Sequence, residues 1–312
     1  MLDTVNTFPD TAFVSEPGVK REDVDFPKLK EKANYPLTLE PAYMLNGCMA
    51  EKIQPRRGLA QQILKNAKTG EPISFHTPEY HPVENILLHK AVERCLKGFL
   101  PSKMLSNVYH GAHVANSGAY NQLNYGIRGF SAQIQRGEFK SYISPVIIIK
   151  NASQWSVTAI VSAEDSATGN IISLGNKAAV SARHVSSFDT APFEAHIINM
   201  LASFPKYVRK MQEFLGTDIN IDQAKNALAM HSEISETERH GIIEQFIDVE
   251  VDEMYYSKQA LLSAVASYAT KPEEFPIKNS EQADNIAETL AIRQKRLAKL
   301  ASSPFFFGKA GV

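Results

Sequence analysis

Cysteine is scarce in this chain, long apolar runs are missing, and one internal stretch contains no acid. Only Cys48 and Cys95 are present among 312 residues. That excludes a disulfide-stapled secreted scaffold and predicts reduced thiols in a cytoplasmic protein. No segment approaches the roughly 18–20 apolar residues needed to span a membrane, so no membrane partner is expected. The opening Met1-Leu2-Asp3-Thr4 has neither a basic residue nor an apolar core, and no signal peptide is expected there. Phosphate-cradling glycine loops, H-E-x-x-H, C-x-x-C and G-x-S-x-G are all absent. No catalytic residues, metal or other cofactor are therefore expected.

The missing acids are the most informative absence. From Arg94 to Gly137 there is no aspartate or glutamate. Arg94, Lys97, Lys103, Arg128 and Arg136 stand there instead, with His110 and His113. Tyr109, Tyr120, Tyr125 and Phe130 are interleaved with Asn107, Asn116, Asn121, Gln122, Asn124, Gln133 and Gln135. Cations for phosphates, rings for bases and amides for sugar or base edges are the components of a nucleic-acid groove. The competing reading is a polar sheet face that happens to lack carboxylates.

Charge is segregated along the rest of the chain. Residues 51–150 carry 13 Lys/Arg against 6 Asp/Glu, whereas residues 218–290 carry 5 against 15. The last 22 residues hold five cations, Arg293, Lys295, Arg296, Lys299 and Lys309, and no acid. Such asymmetry bears on partners and solubility rather than on fold. A basic half can meet nucleic acid, or it can dock on the acidic half of another protomer and give rings or filaments.

The pattern predicts an α+β fold: a central antiparallel sheet over about 106–180, N-terminal helices before it and a helical region after it. Residues 1–45 read as an extended arm, because Pro9, Pro17, Pro27, Pro36 and Pro41 forbid a long helix. Residues 46–190 read as an α+β core and 191–312 as mostly helical. Helices are predicted over Gly58–Lys68 and Pro82–Phe99. Val146-Ile147-Ile148-Ile149 reads as a buried strand, and 155–162 with 171–180 as a hairpin across the polar turn Asp165–Gly169.

After Arg183-His184 the residues Phe193, Ile197, Leu201, Phe204, Val208, Met211 and Leu215 form one apolar stripe at helical spacing. Pro205 is expected to kink or split that helix. Asn220 is expected to cap a short helix running to about Met230, with further helices near 235–247, 255–269 and 280–301. Pro304-Phe305-Phe306-Phe307-Gly308 needs burial, on this chain or in a neighbour.

The second half of the chain resembles the phage- and plasmid-encoded proteins grouped as domain of unknown function number 932. The resemblance runs from about residue 105 onward. It rests on Lys150-Asn151-Ala152-Ser153 opening a strand, Leu174-Gly175-Asn176 ending another, Arg183-His184, Leu262-Ser263-Ala264-Val265-Ala266-Ser267-Tyr268, and Phe306-Phe307-Gly308. The chain departs from that pattern where a Cys and a His-Asp-Gly are usual, and in having Ser263 where Asn is usual. The resemblance implies a protein of a mobile element and brings no established activity.

The leading expectation is a phage-type single-stranded DNA-binding protein, of the strand-annealing or recombination kind, acting as a homo-oligomer through the arm, acidic helices and tail. Its phosphate and base contacts are expected among Lys103, Tyr109, Tyr120, Tyr125, Arg128, Arg136, Lys140, Lys150, Trp155 and Arg183. The alternative is a viral structural or assembly protein. Behind both stands a metal-dependent nuclease using Asp248, Glu250 and Asp252, which on an extended segment would share one side. His110 and His113, with His76 and His81 upstream, come nearest to a metal site, but on a strand the pair at i and i+3 points apart.

Overall fold

The strand-rich middle of the chain forms a seven-stranded antiparallel sheet, and helices follow it, so the α+β expectation holds. The computed structural model describes residues 35–46, 49–52, 62–105, 107–115, 120–153, 156–248, 256–271, 275 and 283–307. Most of the expected N-terminal arm, together with Trp155, Glu250 and Asp252, therefore lies outside the described residues.

In chain order the strands are β1 Leu37–Pro41, β2 Tyr43–Asn46, β3 Met49–Lys52, β4 Gln62–Asn66 and β5 Pro72–His76. Helices α1 Asn85–Phe99 and α2 Ser102–Leu105 come next. They lead to β6 Val108–Ala115, β7 Tyr120–Ile127, β8 Ala132–Arg136, β9 Phe139–Ala152, β10 Val157–Asp165, β11 Ile171–Ser173 and β12 Ala179–Ala182. The helical region comprises α3 Ala191–Leu215, α4 Ile221–Ala229, α5 Glu236–Asp248, α6 Lys258–Thr270 and α7 Ala283–Ala301. The large sheet runs β11-β10-β9-β7-β6, with β12 beside β10 and β8 beside β9. β1, β4 and β5 form a separate three-stranded sheet, and β2 and β3 pair with each other.

Two sequence expectations need correction. The predicted helix over Gly58–Lys68 is, in its described part, strand β4 followed by a turn. Leu64 alone is fully buried there, between half-exposed Ile63 and Lys65, and no apolar stripe at helical spacing is buried. β1 and β5 on either side take up its backbone groups. Of the kink or split expected at Pro205, the split does not occur: α3 is continuous for 25 residues. A proline inside a helix costs roughly 3 kcal/mol. The seven predicted stripe residues are all buried, and each is worth about 1.5–3 kcal/mol. Packing wins.

The expected hairpin is present: β10 pairs with β11 and with β12. Its turn closes through Gly169, at φ 68°, whose N–H donates to the Asp165 carbonyl at 2.7 Å. Asn220 caps α4 by accepting from Gln223 N–H, and the Gln223 side chain reaches back to Asn220 N–H.

One hydrophobic core joins α1, α3 and the sheet to the helices that follow, so no boundary between cores falls near residue 190. α6 is buried on every side, as its sequence Ala-Leu-Leu-Ser-Ala-Val-Ala-Ser predicts for a helix lacking a polar face. The terminal aromatics settle inside this chain: Phe307 packs on Phe214 and Tyr207, and Phe306 on Phe214.

A polar joint fastens the small sheet to the large one. Ser74 Oγ donates to Ser153 Oγ at 2.9 Å and lies 2.6 Å from His76 Nε2. Tyr80 stacks on His76 with ring centroids 3.6 Å apart and leans on His184 at 5.1 Å. His184 Nε2 donates to the Ala152 carbonyl at 3.0 Å. Burial, then the neighbouring His184, draws the His76 pKa down to about 4, and burial also lowers that of His184.

Candidate nucleic-acid interface

Antiparallel register places directly paired residues on the same face of a sheet. One face of the large sheet carries Leu123, Tyr125, Ile147, Ile149, Ala159 and Val161, all buried in the core that α1 and α3 share. The opposite face is mixed. One row reads Gln122, Lys150, Thr158, Ser181, the next Asn124, Ile148, Ile160, and a third Tyr109, Gly126, Val146, Ser162. α7 meets β11 at one side of the sheet and β6 at the other, so it crosses over this second face.

Lys150 is the cation beneath that helix. Its Nζ donates to Gln294 Oε1 of α7 at 2.6 Å, a neutral acceptor rather than a carboxylate. Burial alone pulls its pKa down to about 8. Around it Gln122 Nε2 donates to Asn124 Oδ1 at 3.0 Å, and the Thr158 and Ser181 hydroxyls share a hydrogen bond at 2.8 Å. Among the described residues, amides and hydroxyls thus surround an amine whose charge is met by the Gln294 dipole.

Four residues along β9, about 13 Å away, lies a second group. Tyr109 rests its ring directly over Gly126, where a Cβ would come within 1.8 Å of the ring carbons. The Arg128 guanidinium sits 4.6 Å from the same ring. Glu164 closes the set: its carboxylate accepts from the Tyr109 hydroxyl at 3.1 Å and from Arg128 Nη2 at 2.9 Å. Burial, reinforced by Glu164, pushes the Tyr109 pKa up. Gly126 beneath and Arg128 beside it leave the Tyr109 ring already engaged, while the Arg128 side chain as a whole is 39% exposed.

The structure thus brings Tyr109, Arg128 and Lys150 to one face. It places Tyr125 elsewhere: that ring is 3% exposed on the apolar face, its hydroxyl 3.0 Å from His89 Nδ1, and it is a core residue in this fold. Arg136 lies at the end of β8, donating to Asp218 at 2.6 Å and to the Leu215 carbonyl at 2.9 Å. Lys140 is exposed at the far end of β9, about 33 Å of strand from Lys150. Lys103 is exposed on α2, and Arg183 is exposed just beyond β12. Tyr120 pairs with Ala152 in the register, but its side chain lies outside the described residues, as does all of Trp155.

The stretch without acids in sequence is not without acids in space. Arg94 pairs with Glu194 at 2.5 Å, Lys97 with Glu93 at 2.8 Å, Arg128 with Glu164 at 2.9 Å and Arg136 with Asp218 at 2.6 Å. The acidic and basic C-terminal segments likewise meet within the chain. Arg296 donates to Glu238 at 2.9 Å and to the Tyr268 hydroxyl at 2.8 Å, and Lys299 pairs with Glu233 at 2.9 Å. Neither Glu164 nor Gln294 is marked by sequence reasoning as part of the site, and no local motif distinguishes them. Among the described residues no group of three or more His, Cys, Asp or Glu could hold a metal ion, and no helix is long and apolar enough to cross a membrane. No family model matches the chain, and no curated protein or solved structure is similar to it.

Proposed function

We propose that this protein binds single-stranded nucleic acid, DNA in the first instance, along the polar face of its large sheet. The observation that carries the reading is Lys150: an enclosed amine, hydrogen-bonded to a neutral amide, in a row with Gln122, Thr158 and Ser181, with the Tyr109–Arg128 group two rows away on the same face beyond Ile148 and Val146. Phosphate oxygens satisfy such an amine better than an amide dipole does. The side of the Arg128 guanidinium turned away from the Tyr109 ring would be a sequence-tolerant stacking surface for a base. A sheet face is a recurring nucleic-acid platform; here α7 lies over it, and Val146, Ile148 and Ser162 beneath are buried, so a strand reaches Lys150 only once that cover yields.

Strand annealing in a phage-type recombination system, by an oligomer in the host cytoplasm, is the finer form of the proposal. Annealing requires bases left reachable, so contacts to phosphate should outweigh contacts to bases. The Phe306 and Phe307 side chains are engaged in this chain's own core. Subunit contacts in this reading therefore fall to other surfaces.

Fluorescence anisotropy of a labelled single strand of about 40 nucleotides, at about 50 and 200 mM salt, tests the proposal. Binding should weaken steeply with salt, and Lys150→Met and Arg128→Met should each flatten the salt slope by about one. Absence of binding at the lower salt concentration would end this reading.

A further inference from the structure

The described part of the helix over the polar face is held on two sides. Towards its C-terminal end it is tied to the other helices: Arg293 donates to the Phe275 carbonyl at 2.8 Å, Arg296 reaches Glu238 and Tyr268, and Lys299 reaches Glu233. Leu297, Leu300 and Ala301 are buried there, and Phe306 and Phe307 follow in the core. Gln294 points the other way, to the sheet, where it accepts from Lys150. On the same turn Ile292 is 46% exposed. A neutral hydrogen bond thus joins Gln294 to the cation that a phosphate would seek, while among the described residues the ion pairs of this helix, at Arg296 and Lys299, lie on its other side.

We propose that α7 gates this face, with Gln294 occupying Lys150 in the free protein and a phosphate of the incoming strand displacing it. The inference rests on the nucleic-acid reading above and names its regulation. It follows from exchange of acceptors. An amine surrendering an amide oxygen for a phosphate oxygen keeps its hydrogen bond and gains a counter-charge. The Gln294 amide, carried on a helix surface, returns to water without leaving a buried charge behind. The exchange requires only the Gln294 side chain to swing away, which leaves the Arg296–Glu238–Tyr268 bonds to α5 and α6 in place.

The test uses the full chain and a fluorescent oligothymidylate of about 40 nucleotides at about 50 mM salt. Gln294→Ala removes the competitor and should tighten binding severalfold. Gln294→Glu supplies Lys150 with a carboxylate and should weaken binding by a similar factor or more. In a Lys150→Met background the two substitutions should no longer differ. Wild-type protein that fails to bind would overturn the functional reading itself. Wild-type binding that is unchanged by either Gln294 substitution would overturn the gate alone. A Gln294→Glu effect that persists without Lys150 would show simple charge repulsion, and would overturn the gate as well. Thermal melts confirming that each variant is folded make these outcomes interpretable.

Discussion

Arg128 and Glu164 stand 36 residues apart in the chain and 2.9 Å apart in the fold. Strand pairing causes this: Glu164 lies opposite Ser144 on β10, beside the rows into which β7 feeds Arg128. The carboxylate both holds the guanidinium and competes with any anion that approaches it. On the reading proposed above, Glu164→Gln should raise affinity for a single strand by about fivefold, the equivalent of roughly 1 kcal/mol. Gln retains an acceptor for the Tyr109 hydroxyl, so stability should fall by less than about 1 kcal/mol. Anisotropy and a urea titration of the same preparation check both halves. Weaker binding with an intact fold would mean that Glu164 positions Arg128 for the strand rather than restraining it.

Gly126 is required by a neighbour rather than by its backbone. The Tyr109 ring occupies the space where a side chain would begin, 1.8 Å from an added Cβ. Gly126→Ala should therefore expel the ring from its seat and cost about 1–3 kcal/mol, as overpacking does. Tyr109→Ala/Gly126→Ala should be less destabilised than the sum of the single substitutions. Strict additivity in thermal melts would contradict the close approach.

Three histidines make the fold acid-labile. His76 and His110 titrate at about 4, and His184 is also lowered. Burial is the leading cause in each case. For His110 the neighbouring His89 adds to it, partly offset by Glu93; for His184 its bond to the Ala152 carbonyl opposes it. The unfolded chain takes up these protons below about pH 6.5, whereas the folded His76 and His110 imidazoles stay neutral until about pH 4 and that of His184 resists protonation more than in the unfolded chain. Stability from them is complete above pH 6.5 and is lost as pH falls through that window, by at most about 3 kcal/mol each for His76 and His110. Urea midpoints measured from pH 7 down to 4 should fall, and more shallowly in His76→Gln. A flat profile would show that these rings are protonated in the folded state.

Local periodicity made much of this fold readable. The Phe193–Leu215 stripe, the Val146–Ile149 run and the turn after Asp165 each appear as elements close to where their patterns lie. Two features were misread for local reasons: Ile63-Leu64 suits a short strand as well as a helix, and Pro205 was weighed without the packing that outvotes it. The site was less legible. Tyr109, Arg128 and Lys150 are visible as residue types, yet which face each occupies depends on register. Tyr125 has the same credentials in sequence and is buried. Charge misled most. An acid-free stretch in one dimension acquires Glu194, Glu164 and Asp218 from elsewhere once the strands and helices assemble. Pairing across 36 to 100 residues leaves no local signature.

The terminal aromatics give a test that separates folding from assembly. Phe307 packs at 5.2 Å from Phe214 and 5.6 Å from Tyr207, measured between ring centroids, and is 7% exposed. Removing a ring of this kind from a core costs about 3–5 kcal/mol. Phe307→Ala should lower the urea midpoint by a corresponding amount at every protein concentration, because the contact is made within one chain. Its oligomeric state by light scattering under native conditions should equal that of the wild type. A tail that instead docked on a second protomer would show the reverse, with dissociation on dilution and a monomer melting normally. The same substitution lies on the far side of α7's anchor from Gln294, so strand affinity of the folded protein should change little.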